Sequence, residues 1–186
     1  MAAGWGEMVH SLLYLYKTNE KPMRKVLLSV LFLFAFLPLV LAQGQLSPKA
    51  TAKSTNAEVV YGQPSKRNRV IFGEVVPYNE VWRAGANEAT QISFKKDVNF
   101  GGTQVNAGTY TMFVLPTEKE WTVILNSELG QWGHFDYEQH KAKNVAEIKV
   151  PVKHLDNVQE KLTYNANDNS LTIEWDQTAV SIPLKY

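Results

Sequence analysis

From residue 57 onward, apolar and polar side chains alternate with a period of two in short runs punctuated by turn residues. Such runs read as half-buried strands, because successive strand side chains point to opposite faces. Glu58 to Tyr61 is a short strand turned by Gly62-Gln63-Pro64, and Val70-Ile71-Phe72 is a second. Gln91 to Phe94 follows, and then Val98 to Phe100 and Thr103 to Val105 are joined at Gly101-Gly102, a hairpin signal. Thr109 to Leu115 is apolar on both faces, as the middle strand of a packed sheet must be, and Glu120 to Asn126 pairs back on it. Alternation resumes at Ala146, Ile148, Val150 and Val152, then at Leu162 and Tyr164. Leu171, Ile173 and Trp175 point inward, Asp176-Gln177 turns the chain, and Val180, Ile182 and Leu184 form the last strand. Turns every few residues and no sustained helical period predict an all-β fold, an antiparallel β-sandwich or flattened barrel. The helical allowance is one or two turns near Pro77–Arg83, where proline suits the first turn and Gly85 lies just past the end. Asn126 to Asn144 is irregular, aromatic and polar, and reads as a rim loop.

The N-terminal third has a different pattern. Met23-Arg24-Lys25 precedes an apolar run from Val26 to Leu41, then Ala42 and polar Gln43-Gly44-Gln45. A short basic region, an apolar run and a small residue at its exit make a secretory signal over 23–42, cleaved near Ala42/Gln43. The alternative is a membrane anchor kept by an uncleaved leader. A spanning helix needs about 20 apolar residues, whereas this run is shorter and Pro38 interrupts it. The expected location is thus periplasmic or secreted. Residues 1–22 do not fit ahead of a leader and are expected to be a start-site artefact. Residues 43–56 have no apolar period and read as a flexible arm, leaving 57–186 as a single domain.

Composition narrows the function classes. Beyond residue 42 there are 15 basic and 16 acidic side chains with no basic block, which argues against a nucleic-acid partner. Cysteine is absent, which excludes disulfides, thiolate metal sites and a cysteine nucleophile. No Gly-x-Ser-x-Gly elbow and no glycine-rich phosphate loop occurs. No cofactor is implied.

Chemistry concentrates between Gly73 and Thr90. Arg83, Asn87 and Glu88, with Arg69 brought nearby by the preceding strand, would make a polar pocket with Trp82 or Tyr78 as a stacking wall. The same residues would equally serve as internal partners for backbone groups that a crossover leaves without ladder bonds. Trp132, beside Gly133 in the rim loop, is the candidate exposed aromatic and could stack on a sugar ring. His134, Asp136, Glu138 and His140 would share one face only if that loop were extended, so no metal site is assigned.

The residues Tyr61-Gly62-Gln63-Pro64, Arg69 to Gly73, Val81 to Thr90 (Val-Trp-Arg-Ala-Gly-Ala-Asn-Glu-Ala-Thr), Ala107 to Tyr110 and Glu120 to Asn126 carry a resemblance. Through them the chain, over about Ser47 to Tyr186, resembles the DUF2911 domain, an exported bacterial family of unknown function. The resemblance implies an exported β-rich domain and brings no reaction, ligand or catalytic residue. The functional expectation is a non-catalytic binding module for a small polar ligand, a glycan or a partner protein. The alternative is a small hydrolase or isomerase using Glu88, with Arg83 holding an anion. The leader yields a direct test: N-terminal sequencing of protein recovered outside the cytosol should begin at Gln43, and a product that retains residues 23–42 would establish the anchor instead.

Overall fold

The computed structural model describes residues 46–186, and the expected leader at 23–42 and the segment 1–22 lie outside them. Among the described residues ten strands form two antiparallel sheets, and no barrel closes. One sheet has six strands in the order β1 (Lys49–Lys53), β2 (Ala57–Gly62), β3 (Thr90–Phe94), β6 (Gly108–Pro116), β7 (Glu120–Asn126) and β8 (Asn144–Pro151). The other has four: β5 (Thr103–Val105), β4 (Val98–Phe100), β10 (Ser170–Lys185) and β9 (Lys153–Ala166). The all-β sandwich read from the alternation is therefore the observed architecture.

The inner faces enclose one large core. Trp82, Trp121, Trp175 and Phe72 meet at its centre, with Trp82 and Trp175 stacked at 6.0 Å and Phe72 against Trp121 at 4.9 Å. Burying an indole contributes on the order of 4–6 kcal/mol, so this quartet is a large part of what holds a disulfide-free domain together. Central β6 shows what apolar residues on both faces achieve. Met112 and Val114 enter the main core, while Phe113 turns to the opposite side of the sheet. There it packs with Ile124, Ala89 and Tyr137, the last carried by the rim loop.

Four expectations need correction. Residues 49–53 are not an arm but edge strand β1, paired in register with β2 from Lys49↔Gly62 to Lys53↔Glu58. Its inward side chains are only Ala50 and Ala52, two methyls too small to register as an apolar period. The folded unit accordingly begins at Leu46. Val70-Ile71-Phe72 is not a ladder strand; it folds into a tight turn in which Val76 N–H donates to Ile71 O at 2.9 Å. No helix forms at 77–83, because Asn79 (φ 62°) and Ala84 (φ 53°) take left-handed backbone that breaks a right-handed run. The short helix α1 is instead Tyr137–His140, followed by a 3₁₀ turn at Lys141–Lys143.

The fourth correction concerns Asp176. The chain does not reverse there; β10 continues from Ser170 to Lys185 with register shifts on either side of Asp176, whose φ is +56°. The extra residues lie in β9, where Thr163 to Gln159 and Gln159 to His154 run opposite two-residue steps of β10. Across this irregularity the inward odd positions (Leu171, Ile173, Trp175) give way to inward even ones (Val180, Ile182, Leu184). Asp176 is held by Lys66 at 2.7 Å in a pair with both side chains under one-fifth exposed.

At Gly62 the backbone of β2 comes very close to that of the segment following Trp82. A Cβ at Gly62 would lie 2.0 Å from the Ala86 carbonyl oxygen, and backbone cannot swing aside as a side chain can. Gly62→Ala should therefore destabilise the domain by about 3 kcal/mol, with urea melts giving a lower midpoint at unchanged slope. Wild-type stability for that variant would show that the two segments are not tightly opposed.

Candidate functional site

Residues 83–89 are an excursion from a strand line. Trp82 pairs with Val114 through two backbone bonds, N–H to O at 2.7 and 2.9 Å, and Thr90 pairs with Met112 two residues along the same strand. The chain therefore leaves the edge of β6 at Trp82 and rejoins it at Thr90. The Ala84 carbonyl anchors the excursion by accepting from Tyr164 Oη at 2.6 Å and Thr90 Oγ1 at 2.9 Å. Complete burial pushes the Tyr164 phenol far above its usual range, so it remains a donor at any physiological pH. Ala84 and Asn87, both left-handed at φ 53° and 63°, are strained positions that persist because their surroundings fix them.

The predicted site residues separate into supports and surface groups. Trp82 is core, its ring against Trp175 and its Nε1 donating to Gly85 O at 3.1 Å, so it is not a stacking wall. Arg69 does not join the cluster. Its Nε donates to Lys66 O at 3.0 Å and its Nη2 to Ser65 O at 2.8 Å, closing the basic turn on itself. Half-buried Arg83 donates through Nη1 to Asn87 O at 3.0 Å and sets its guanidinium 5.7 Å from the centre of the Phe135 ring. Asn87 donates its side-chain amide to Ser47 O at 2.9 Å, tying the excursion to the lead into β1. Arg83 and Asn87 thus do what internal partners of crossover backbone do.

Glu88 projects outward, and the rim loop meets it there. Ala89 N–H donates to Gln131 O at 3.0 Å, which makes Glu88 and Trp132 a non-hydrogen-bonded antiparallel pair. In such a pair the opposed side chains lie on one face and at their closest, with Cβ atoms about 4.5–5.5 Å apart. Trp132 is 53% exposed. The Glu88 carboxylate takes the Lys49 ammonium at 3.2 Å. Its carboxyl is held below the usual range, chiefly by a backbone hydrogen bond and then by Lys49. That is opposite to the raised value a general acid needs near neutrality.

Between Glu88, Gln131, Lys49, Gln91 and the Tyr61–Gly62 end of β2 is a cavity of about 120 Å³. Gln131 is 7% exposed; its amide nitrogen donates to Glu128 O at 3.1 Å while its Oε1 has no hydrogen-bond partner. Sequence reasoning missed Lys49, Gln91 and Gln131. Lys49 was hidden in a segment without a period, and the burial of a glutamine inside Gly130-Gln131-Trp132-Gly133 leaves no mark on the sequence.

The segment His134 to His140 is turn and helix, so the extended geometry that would align its two histidines and two carboxylates is not adopted. His134 stacks on Phe135 at 5.0 Å, and its Nδ1 is buried without a partner. Burial, and next the Arg83 cation, pull its pKa down, against a smaller upward pull from Glu80.

A model of the family described as "Protein of unknown function (DUF2911)" matches residues 45–184, and the chain belongs to that family. No curated protein and no solved structure matches it.

The environment of His134 sets a pH dependence with a definite sign. A folded-state pKa below the ordinary 6.5 means the unfolded chain binds the extra proton first. The stability contributed by neutral His134 is present above about pH 6.5 and lost as pH falls through the folded value. NMR titration should give a midpoint below 6.5, moved upward by Arg83→Gln and downward by Glu80→Gln. A midpoint at or above the ordinary value would contradict the burial of the ring.

Proposed function

We propose that this DUF2911 protein is an exported, non-catalytic binding module that takes a hydroxyl-rich ligand, a glycan unit, at the Glu88–Trp132 face. The observation that carries the reading is the cross-strand pairing of a half-exposed indole with an ionised carboxylate beside a small cavity. An aromatic face covers the apolar side of a sugar ring, and carboxylate, ammonium and amide groups exchange hydrogen bonds with its hydroxyls. Glu88 supplies acceptors, Lys49 supplies donors, and the unpartnered Oε1 of Gln131 is an acceptor whose burial without a bond is costly. The cavity admits one terminal group of a ligand, whose remainder would lie along Trp132.

The reading as a small hydrolase or isomerase has less support. It needs Glu88 to hold a proton near neutral pH beside Arg83, whereas Glu88 is kept ionised and Arg83 is engaged with Asn87 O and Phe135. A partner protein on the same face is the other reading, favoured only by exposure of Leu129 and Trp132. Export rests on the leader-like pattern of residues 23–42, which leaves a membrane contact only through an uncleaved leader.

The test is a calorimetric and thermal-shift titration of the mature protein with neutral gluco-, manno-, xylo- and N-acetylglucosamine oligosaccharides. At least one should raise the melting temperature, with affinity falling about tenfold or more in Trp132→Ala and in Glu88→Gln. Arg83→Ala should lower the melting temperature of the free protein, as a support residue requires. If no sugar binds, or if binding survives both surface substitutions unchanged, the proposed face is wrong.

A further inference from the structure

The other side of the rim loop covers a larger space that shares no lining residue with the Glu88 cavity. It lies on the outer face of the six-stranded sheet and encloses about 700 Å³, within the range of sites for small organic ligands. Its floor includes Leu115 and Ile124, outward residues of β6 and β7, and its walls are the turn at Asn79–Val81 and the helical segment bearing His134, Phe135 and Tyr137. The floor is mixed: Leu115 of β6 and Ile124 of β7 are apolar, Thr122 beside them is polar, and Tyr137 packs against Ile124. Phe135 stands 67% exposed at the edge.

The charges that line the groove, other than Glu80, already have partners. Lys149 pairs with Glu120 at 3.1 Å, Lys141 with Glu138 at 3.8 Å, and Glu147 accepts from the Asn144 amide at 2.7 Å. Glu80 has no ion-pair partner and no side-chain hydrogen bond among the described residues. Close enough to Glu80 to feel its charge is His134, whose buried Nδ1 has no partner either. An uncommitted carboxylate and the His134 ring therefore border one groove that has an apolar patch at Leu115 and Ile124 and aromatic walls at Phe135 and Tyr137.

We infer that this groove is a second binding site, selective for a small organic cation, an amine carried on an aromatic or aliphatic body. The ammonium is matched by Glu80 through a charge-assisted hydrogen bond. The body lies on Leu115 and Ile124 against Phe135 and Tyr137, where an aromatic wall also favours a cation. An anionic ligand of the same shape is repelled by Glu80, and a neutral one gains no charge-assisted bond from it.

The experiment uses three probes of one shape, phenethylamine, phenethyl alcohol and phenylacetate, titrated into the mature protein and followed by NMR at the His134 ring and the Trp132 indole. The expected result is saturable binding of phenethylamine, sensed at His134 and not at Trp132, about tenfold tighter than either analogue. Glu80→Gln, a surface change that leaves the fold intact, should weaken the amine about tenfold and leave the alcohol unchanged. Trp132→Ala should leave amine binding unaltered, which separates this site from the glycan face. Absence of saturable amine binding, equal affinity for amine and alcohol, or an unchanged Glu80→Gln variant would each overturn the proposal.

Discussion

The structure depends on how Trp82 is seated. Its backbone continues the ladder beside β6 at Val114 while its ring fills the centre of the sandwich against Trp175, Trp121 and Phe72. Those requirements are met together only if the chain departs immediately after Trp82 and returns at Thr90, two positions along the same ladder. The excursion over 83–89 is thus a geometric consequence of a core residue and not an independent loop. The left-handed Ala84 and Asn87 are the local cost, offset by the bonds that Tyr164, Thr90 and Arg83 make to the excursion's carbonyls.

Once the excursion is fixed, so is the part of the rim loop that meets it. Glu88 and Ala89 template Gln131 and Trp132 as a single antiparallel bridge, and Arg83 meets Phe135 just beyond. The loop is pinned at its other end by Asn126, whose amide donates to His140 O at 2.8 Å and to Asn144 Oδ1 at 2.7 Å. A loop held at both ends and packed through Tyr137 against Phe113 and Ile124 leaves an open space on either side. One is small and next to an exposed indole; the other is larger, with aromatic walls and an uncommitted carboxylate at its edge. Surface loops positioned by a rigid sheet are where proteins place recognition.

Several readings from the chain failed for one shared reason, that a local pattern understates what a distant segment supplies. The strand signal at Val70-Ile71-Phe72 was real as apolar content, yet Ile71 is buried within a turn closed by Val76. Asp176-Gln177 reads as a turn from its polar side chains, but pairing across to β9 makes it a register irregularity inside one continuous strand. Ala50 and Ala52 became strand residues only because β2 had a free edge for them. In the site, grouping Arg83, Asn87 and Glu88 rested on proximity in sequence, and neighbouring residues on a tightly wound excursion face different ways.

By itself, the sequence determined the layered β architecture, the central hairpin with its double-faced first strand and the loop at Asn126–Asn144, because two-residue periodicity and turn chemistry are local properties. It also marked 83–90 as the densest concentration of polar and aromatic groups. Tertiary structure alone decided which of those groups became supports and which faced outward, since that depends on where the Ala84 and Asn87 carbonyls find donors and on which strand lies opposite. It also decided that Trp132 would stand beside Glu88 and that Glu80 would border the outer groove. Residues more than forty positions apart are made neighbours by pairing, and pairing is set by the whole core at once.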